Sequence, residues 1–458
     1  MADKELRFME IEEFGYKQEL KRSLTLTDLV VYGMIFMIPI APFGVYGYVN
    51  AEAPGMVPLA YIIGMVAMLF TALSYGSMAK AFPIAGSVYS YAQRGLNQHV
   101  GFIAGWLMLL DYLLIPPLLY LYAAMALNHL YPDIPKVGFI LAFLVSATFV
   151  NLRGITFTAR MNILFLLAQL VVLGIFLFYA WNALHDGAGN GELTMAPLYH
   201  PETFNFALLM QAVSIAVLSF LGFDAISTLA EEIKGDPGRS VGRAALITLA
   251  VMGTIFVVQT WIATDLAAGM GFKSADTAFY EIAEIAAAGS WLATLTAVAT
   301  ALAWGVAVAI TSQAAVSRLL FGMARDGKLP KVLARVHPKH NTPYLSIYLV
   351  AVLSLLICYL FINAVDILTS LINFGALSGF MLLHLTVINH YWRRQKSGQV
   401  VRHLLCPVIG FIIVAAIMYN MGVDAQKLGL IWIALGLVYL FFLNKLGAST
   451  ALPDPSKG

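Results

Sequence analysis

The sequence predicts an all-α polytopic membrane protein with twelve transmembrane helices, and three observations point there. Of its 458 residues, 60% are hydrophobic and only 11% charged, where a soluble domain usually carries about 25% charge. Apolar stretches long enough to span a bilayer, about 20 residues each, recur along the chain. The basic residues fall almost entirely in alternate connecting segments.

The apolar stretches lie near residues 27–49, 57–79, 99–128, 137–152, 160–184 and 205–231, then 241–265, 290–321, 343–362, 366–391, 403–421 and 428–445. The fourth is short for a span; the sixth and eighth are long enough to tilt or break. With the N-terminus inside, 24 of the 27 Lys and Arg are cytoplasmic, leaving Lys136, Lys273 and Lys427 outside. The positive-inside rule then favours an even span count, both termini in the cytoplasm, and a place in the inner (cytoplasmic) membrane. The tail 1–26 is charged and lacks an apolar core, so no cleavable signal peptide is read there. Its residues Met1 to Arg22 mix both signs, as expected of a solvated arm or an inner gate flap. The tail 446–458 is read as cytoplasmic too.

The first span, TDLVVYGMIFMIPIAPFGVYGYV from Thr27 to Val49, is interrupted at Pro39, Pro42 and Gly44. A proline inside a helix removes a backbone donor and clashes with the preceding turn. Backbone freed in hydrocarbon must be satisfied by protein, water or a bound solute. Half a chain later, QAVSIAVLSFLGFDAISTLAE is interrupted at Ser219-Phe220-Leu221-Gly222, with Asp224 just beyond. Either break alone reads as a packing kink. A matched pair in two halves points to the midplane site of a secondary transporter.

Ionisable groups within spans are costly and mark function by default. Asp28, Asp265 and Asp366 are read at span ends, whereas Asp111, in GWLMLLDYLLIPPL, and Asp224, in SFLGFDAIS, lie deep. No Lys or Arg is read at that depth, so the two acids carry protons at rest or a transported cation supplies the charge. Two separated carboxylates suit a solute with two ammonium groups. Two structural readings stay open beside this: Asp111 bonded to backbone freed by Pro116 and Pro117, and Asp224 capping the second half of its span. Trp106, Tyr112, Phe220, Phe223 and Trp304 offer ring faces to an ammonium, although packing explains each one singly. Thr311-Ser312-Gln313 reads either as a site wall or as helix–helix hydrogen bonding. His384 and Asn373 read mainly as structural. The acidic loop from His185 to Phe204 is read as a solvated loop or an outer vestibule. Asp276 to Ala288 is read as an amphipathic surface helix with Glu281 and Glu284 on one side.

Other chemistry finds no support in the sequence. A Walker-type loop, HExxH, paired CxxC and GxSxG are all absent, so no enzyme, ATP drive, metal or cofactor is expected, and no nucleic-acid partner. Cys358 and Cys406 make no disulfide framework, and His337-Pro338-Lys339-His340 reads as positive-inside charge.

The residues Phe82 to Tyr112 (FPIAGSVYSYAQRGLNQHVGFIAGWLMLLDY), Ser219 to Val241 (SFLGFDAISTLAEEIKGDPGRSV) and Ser317 to Pro330 (SRLLFGMARDGKLP) resemble the amino acid–polyamine–organocation superfamily of secondary transporters. The likeness runs from about Thr25 to Lys445. LLDYL, LINFGALSGF and VHPKHNTP look most like bacterial putrescine importers. The resemblance implies a five-plus-five inverted repeat, spans 1–5 over 27–184 and spans 6–10 over 205–391, with discontinuous helices 1 and 6. Spans 11–12, over 403–445, are appended. It implies alternating access around a site on Ile35, Ile38, Pro39 and Ala41, on Met108, Asp111, Tyr112 and Pro116, on Leu218, Ser219, Phe220, Gly222 and Asp224, and on Ser312. Two departures matter. Where amino-acid carriers of this kind have glycines in span 1, this chain has Met37-Ile38-Pro39-Ile40-Ala41-Pro42, a poor seat for a carboxylate. Where some proton-coupled relatives have a span-5 lysine, it has Gln169, leaving Asp111 or Asp224 as the proton carrier.

The expectation is an importer of an organic cation, putrescine or a related polyamine, working in the lipid bilayer by proton or membrane-potential drive. An amino-acid/proton symporter, or an exchanger of an amino acid for its amine, is the rival within transport. A solute sensor that moves nothing is the rival outside it.

Overall fold

The computed structural model describes residues 22, 24–84, 87–153, 158–201, 204–325, 329–340 and 342–445. The rest, including most of the tail 1–26, all of the tail 446–458, and Ala85, Gly86 and 326–328 of the quoted motifs, lies outside the described residues.

The first span is two helices, α1 (Leu26–Met37) and α2 (Pro42–Glu52), meeting at 56°. Thr25 opens α1 with a capping box, its N–H donating to Asp28 at 2.8 Å while its hydroxyl accepts from the Asp28 N–H. Asp28 is therefore occupied as a cap. The helix stops at Ile38, whose φ of +53° is a left-handed conformation that a β-branched residue rarely adopts. Pro42 then occupies the first turn of α2, where its missing N–H is no loss.

Next come α3 (Val57–Ala81), α4 (Ser87–Gly95), α5 (Gln98–Leu130), α6 (Lys136–Leu152) and α7 (Thr158–His185). α5 runs unbroken through Pro116 and Pro117. Cys358 Sγ of the ninth span donates to the Pro117 carbonyl at 3.3 Å, tying the two spans together at this level. The sixth span is α8 (Phe206–Ala216), a 3-10 turn (Val217–Phe220), a break and a second 3-10 helix (Asp224–Glu232). At the break Gly222 takes a φ of +112°, and an added Cβ would stand 2.8 Å from Phe36 Cβ of α1. Glycine is required here on both counts.

The remainder is helical: α9 (Pro237–Leu266), α10 (Ala278–Ala286), α11 (Ser290–Leu302), α12 (Ala309–Arg325), α13 (Tyr344–Phe361), α14 (Val365–Val387), α15 (Cys406–Asn420) and α16 (Val423–Lys445). A π-helical segment, Ala303–Val308, joins α11 to α12, so the eighth span carries an irregularity of its own. Two further π segments, Ile388–Arg394 and Val401–Leu405, end α14 and begin α15.

Among the described residues, ten helices are long and apolar enough to cross a bilayer, and the bent α1–α2 pair passes as an eleventh span. The shorter apolar helix α6 has 17 residues. The all-α class holds; the one β-contact among the described residues is a bridge between Leu24 and Ile233. That bridge ties the chain ahead of α1 to the end of the sixth span, with Leu24 N–H donating to the Glu232 carbonyl at 3.0 Å.

Two sequence expectations need correction. In α10 the two acids part: Glu281 turns inward, 8% exposed, accepting from the Lys273 N–H at 3.3 Å and from the Thr277 hydroxyl, while Glu284 stays half-exposed. Phe279 of this helix stacks on Phe43 of α2 at 4.2 Å, burying the face that carries it. Asp265 stands at the end of α9, as read, yet it is fully buried, so Asp111 and Asp224 are not alone in lying deep. It accepts from Asn190 Nδ2 at 2.7 Å, from the Thr194 N–H at 2.8 Å and from the Thr194 hydroxyl at 2.6 Å. Trp261 adds an indole N–H to the Thr194 carbonyl, so the loop after α7 is docked while Asp186 and Glu192 stay exposed.

Candidate functional site

Asp111 on α5 and Asp224 at the start of the 3-10 helix are both buried, 5% and 6% exposed. They lie close enough for their charges to act on one another and on Tyr112. Asp224 accepts from the Gly222 N–H at 3.2 Å, across the break in its own span. That N–H lies ahead of the 3-10 helix, so the bond spans the break, and the helix carries no side-chain N-cap of the kind the capping reading asks for. Asp111 is different. Its Oδ1 is buried with no hydrogen-bond partner among the described residues. The helix through Pro116 and Pro117 stays intact without it, so the reading of Asp111 as a clamp on freed backbone gains no contact.

Span 10 supplies the wall that the sequence left unplaced. α14 crosses α5 so closely that a Cβ on Gly375 would stand 2.9 Å from the Leu107 carbonyl and 3.2 Å from the Asp111 nitrogen. A Cβ on Gly379 would meet Met108 Sδ at 2.9 Å. Small residues four apart permit such an approach, and LINFGALSGF carries both. Asn373, on the same helix, donates from Nδ2 to the Ser214 carbonyl. That carbonyl lies in the last turn of α8, just ahead of the 3-10 turn.

The break in the first span is lined by buried Ile35, Ile38 and Ala41. Little bare backbone N–H is on offer there. Pro39 and Pro42 have none, and the Ala41 N–H donates to the Ile38 carbonyl at 2.8 Å. The Pro39 carbonyl is taken by Gln259 Nε2 of α9 at 3.0 Å. In the sixth span Leu218 is buried, and Ser219 shares a 2.9 Å hydrogen bond with the Tyr61 hydroxyl of α3. The Phe220 ring packs against Tyr61 and Phe256. Their side chains are committed to α3 and α9, which leaves this segment's backbone to face the break.

Aromatic candidates divide in the same way. Trp106 is not available to a ligand: its ring stacks on Trp432 of α16 at 4.6 Å, and each indole N–H donates to the other's carbonyl at 2.8 and 2.9 Å. Trp304, in the π segment, lies 4.6 Å from Tyr122, and its buried Nε1 has no partner among the described residues. Phe223 packs with Tyr75 and Phe380, and Tyr75 with Tyr91, closing the bundle toward the end that carries Lys80. Sequence reasoning missed Tyr75, Tyr91 and Phe380, since an aromatic inside an apolar span gives no signal of its own. The span-8 polar group is satisfied locally. Ser312 donates to the Ala309 carbonyl, while Gln313 bonds Thr148 and Asn151 of α6. His384 shares hydrogen bonds with Ser74 and Thr71 of α3. Gln169 on α7 is 4% exposed, and its Oε1 has no partner among the described residues.

Among the described residues no Lys or Arg side chain is buried. The buried acids are Asp111, Asp224, Asp265 and Glu281, and the last two are supplied with protein donors. The geometry therefore holds two neighbouring carboxylates without a protein cation, beside two broken spans.

Comparison with known proteins adds an independent line. The family model for amino acid permeases matches residues 28–424. The low-affinity putrescine importer PlaP of Escherichia coli (strain K12) is 35% identical over 93% of this chain and 94% of its own length. The branched-chain amino acid permease BcaP of Bacillus subtilis (strain 168) is 27% identical over 94% of both chains. The methylthioribose transporter of the same organism is 24% identical over 93% of this chain and 95% of its own.

Proposed function

The chain belongs to the amino acid permease family, and from that premise we propose that it imports an organic cation, putrescine or a related polyamine. Asp111 binds one ammonium group, and Asp224 binds the second or carries a coupling proton. The carried observation is the pair of buried carboxylates with no buried Lys or Arg among the described residues. A desolvated cation attracts such a pair strongly, since the low dielectric that makes unpaired charge costly also strengthens a matched one. Carbonyls at the break in the sixth span and the Tyr112 ring complete the coordination.

Occupied backbone at 38–42 supports the amine over an α-amino acid, whose carboxylate needs bare N–H groups. The likeness to a putrescine importer supports the same choice. In this reading the two halves 27–184 and 205–391 rock about the site, with 403–445 appended and both termini cytoplasmic. The inward-negative potential favours a cation by about 2.3 kcal/mol per charge per 100 mV, and a dication by about twice that. Gln169 carries no proton in this scheme.

Uptake of labelled putrescine into proteoliposomes holding the purified chain, with the potential set by a potassium gradient, tests the reading. Sustained accumulation that stops when the potential is collapsed supports it. Accumulation of leucine or another α-amino acid without any polyamine overturns it in favour of the amino-acid carrier. Binding without accumulation of either overturns it in favour of a sensor.

A further inference from the structure

Away from the two acids, at the end of α3 that carries Lys80, two adjoining cavities of about 260 and 190 Å³ share Lys80 and Arg402. The floor of the larger one is apolar, made by Ala72 and Leu73 of α3 and Leu246 of α9. Its rim is cationic: Lys80, Arg239, Arg243 and Arg402 converge from three separate segments. No carboxylate lines either cavity among the described residues. The neighbouring acid is Asp236, which pairs with Arg239 Nε at 3.2 Å and leaves the other three cations unneutralised by it.

The cleft is built. A Cβ on Gly76 would stand 2.9 Å from Gly242 Cα, so α3 and α9 touch at its base. Arg402 Nε donates to the Ser77 hydroxyl at 3.4 Å, and Tyr391, stacked on His403 at 4.0 Å, donates to the Ser77 carbonyl. Just beside the cations, Ile247 and Val251 of α9 and Val401 and Leu405 are exposed. In a membrane protein such residues face hydrocarbon, which sets the cationic rim at headgroup depth.

We infer that this cleft binds an anionic phospholipid, its phosphate-bearing headgroup on Lys80, Arg243 and Arg402 and an acyl chain along the Leu73–Leu246 floor. Guanidinium groups bind phosphate oxygens in a bidentate fork, and basic pockets between membrane helices on the cytoplasmic side take such headgroups. The apolar floor separates a lipid from a free phosphate, which gains nothing from it. Positive-inside charge alone asks only for cations near a span end, not for convergence on one apolar-floored cleft.

Native mass spectrometry of the delipidated full chain tests the inference, with phosphatidylglycerol, phosphatidylcholine and inorganic phosphate as probes. The expected result is a phosphatidylglycerol adduct that persists where phosphatidylcholine is lost, and that equimolar phosphate does not displace. Arg243→Gln and Arg402→Gln should each weaken it about fivefold. Arg393→Gln, outside both cavities, should leave it unchanged. Equal retention of both lipids by the unmodified chain overturns the inference whatever the variants do. Displacement by phosphate alone, or full retention by both cleft variants, overturns it as well.

Discussion

Among the described residues four acids are buried, in two pairs of opposite character. Asp265 and Glu281 sit beneath connecting loops, each surrounded by donors from chain that folds back over it. Asp111 and Asp224 differ from these: Asp224 draws only on backbone at its own break, from Gly222, and Asp111 Oδ1 has no partner among the described residues. All four are under 9% exposed. Burial alone therefore does not mark a functional carboxylate; the supply of donors does. An acid whose capacity is spent on the protein holds the fold, whereas one left short is fitted for a ligand.

Substitutions sharpen this contrast, and the largest effect is expected at Asp111. Asp111→Asn should lower polyamine uptake about a hundredfold, the range for truncating one member of a buried charge pair. Its melting temperature should stay close to the parent's, because Oδ1 has no protein partner to lose. A large fall in melting temperature with uptake intact would dissolve the distinction between the pairs. Asp265→Ala should do the reverse. It strands Asn190 and Thr194 donors and should destabilise the fold by about 3 kcal/mol, read by thermal unfolding in detergent, while uptake per folded molecule is kept.

Smaller effects test the walls. Gly375→Ala places a methyl group 2.9 Å from the Leu107 carbonyl and 3.2 Å from the Asp111 nitrogen. The displaced backbone should cost about 1–2 kcal/mol and raise KM several-fold, since α5 can relieve the contact only by moving Asp111. An unchanged KM would mean that the α5–α14 crossing does not position the acid. The least effect belongs to Tyr61→Phe, which deletes the hydroxyl bonded to Ser219. It should cost about 1 kcal/mol and change uptake less than twofold, because that bond braces the sixth span from behind.

Much of this arrangement is legible in the sequence, for local reasons. Pro39 and Pro42 announce the first break, since a missing N–H acts within its own turn. Phe220-Leu221-Gly222 announces the second, where Gly222 supplies the positive φ. Asp111 and Asp224 stand out because charge is rare in apolar runs. What stayed hidden depends on distant chain. The burial of Asp265 is decided by Asn190 and Thr194, more than seventy residues away. Glu281 is buried because Phe279 docks on α2. Pro116 and Pro117 look like helix breakers, yet α5 continues through them. Trp106 read either as a ring for a cation or as packing, and only its contact with α16 decides for packing.

That last contact bears on mechanics. Two reciprocal N–H···O bonds and a ring stack clasp α5 to α16 near the level of Asp111. Sliding one helix along the other would break both bonds at once, so the pair is a splint rather than a bearing. α16 is thus a stiffener for the helix that carries the acid, and in the proposed cycle the bending falls to joints elsewhere, where Ile38 and Gly222 already interrupt the rods.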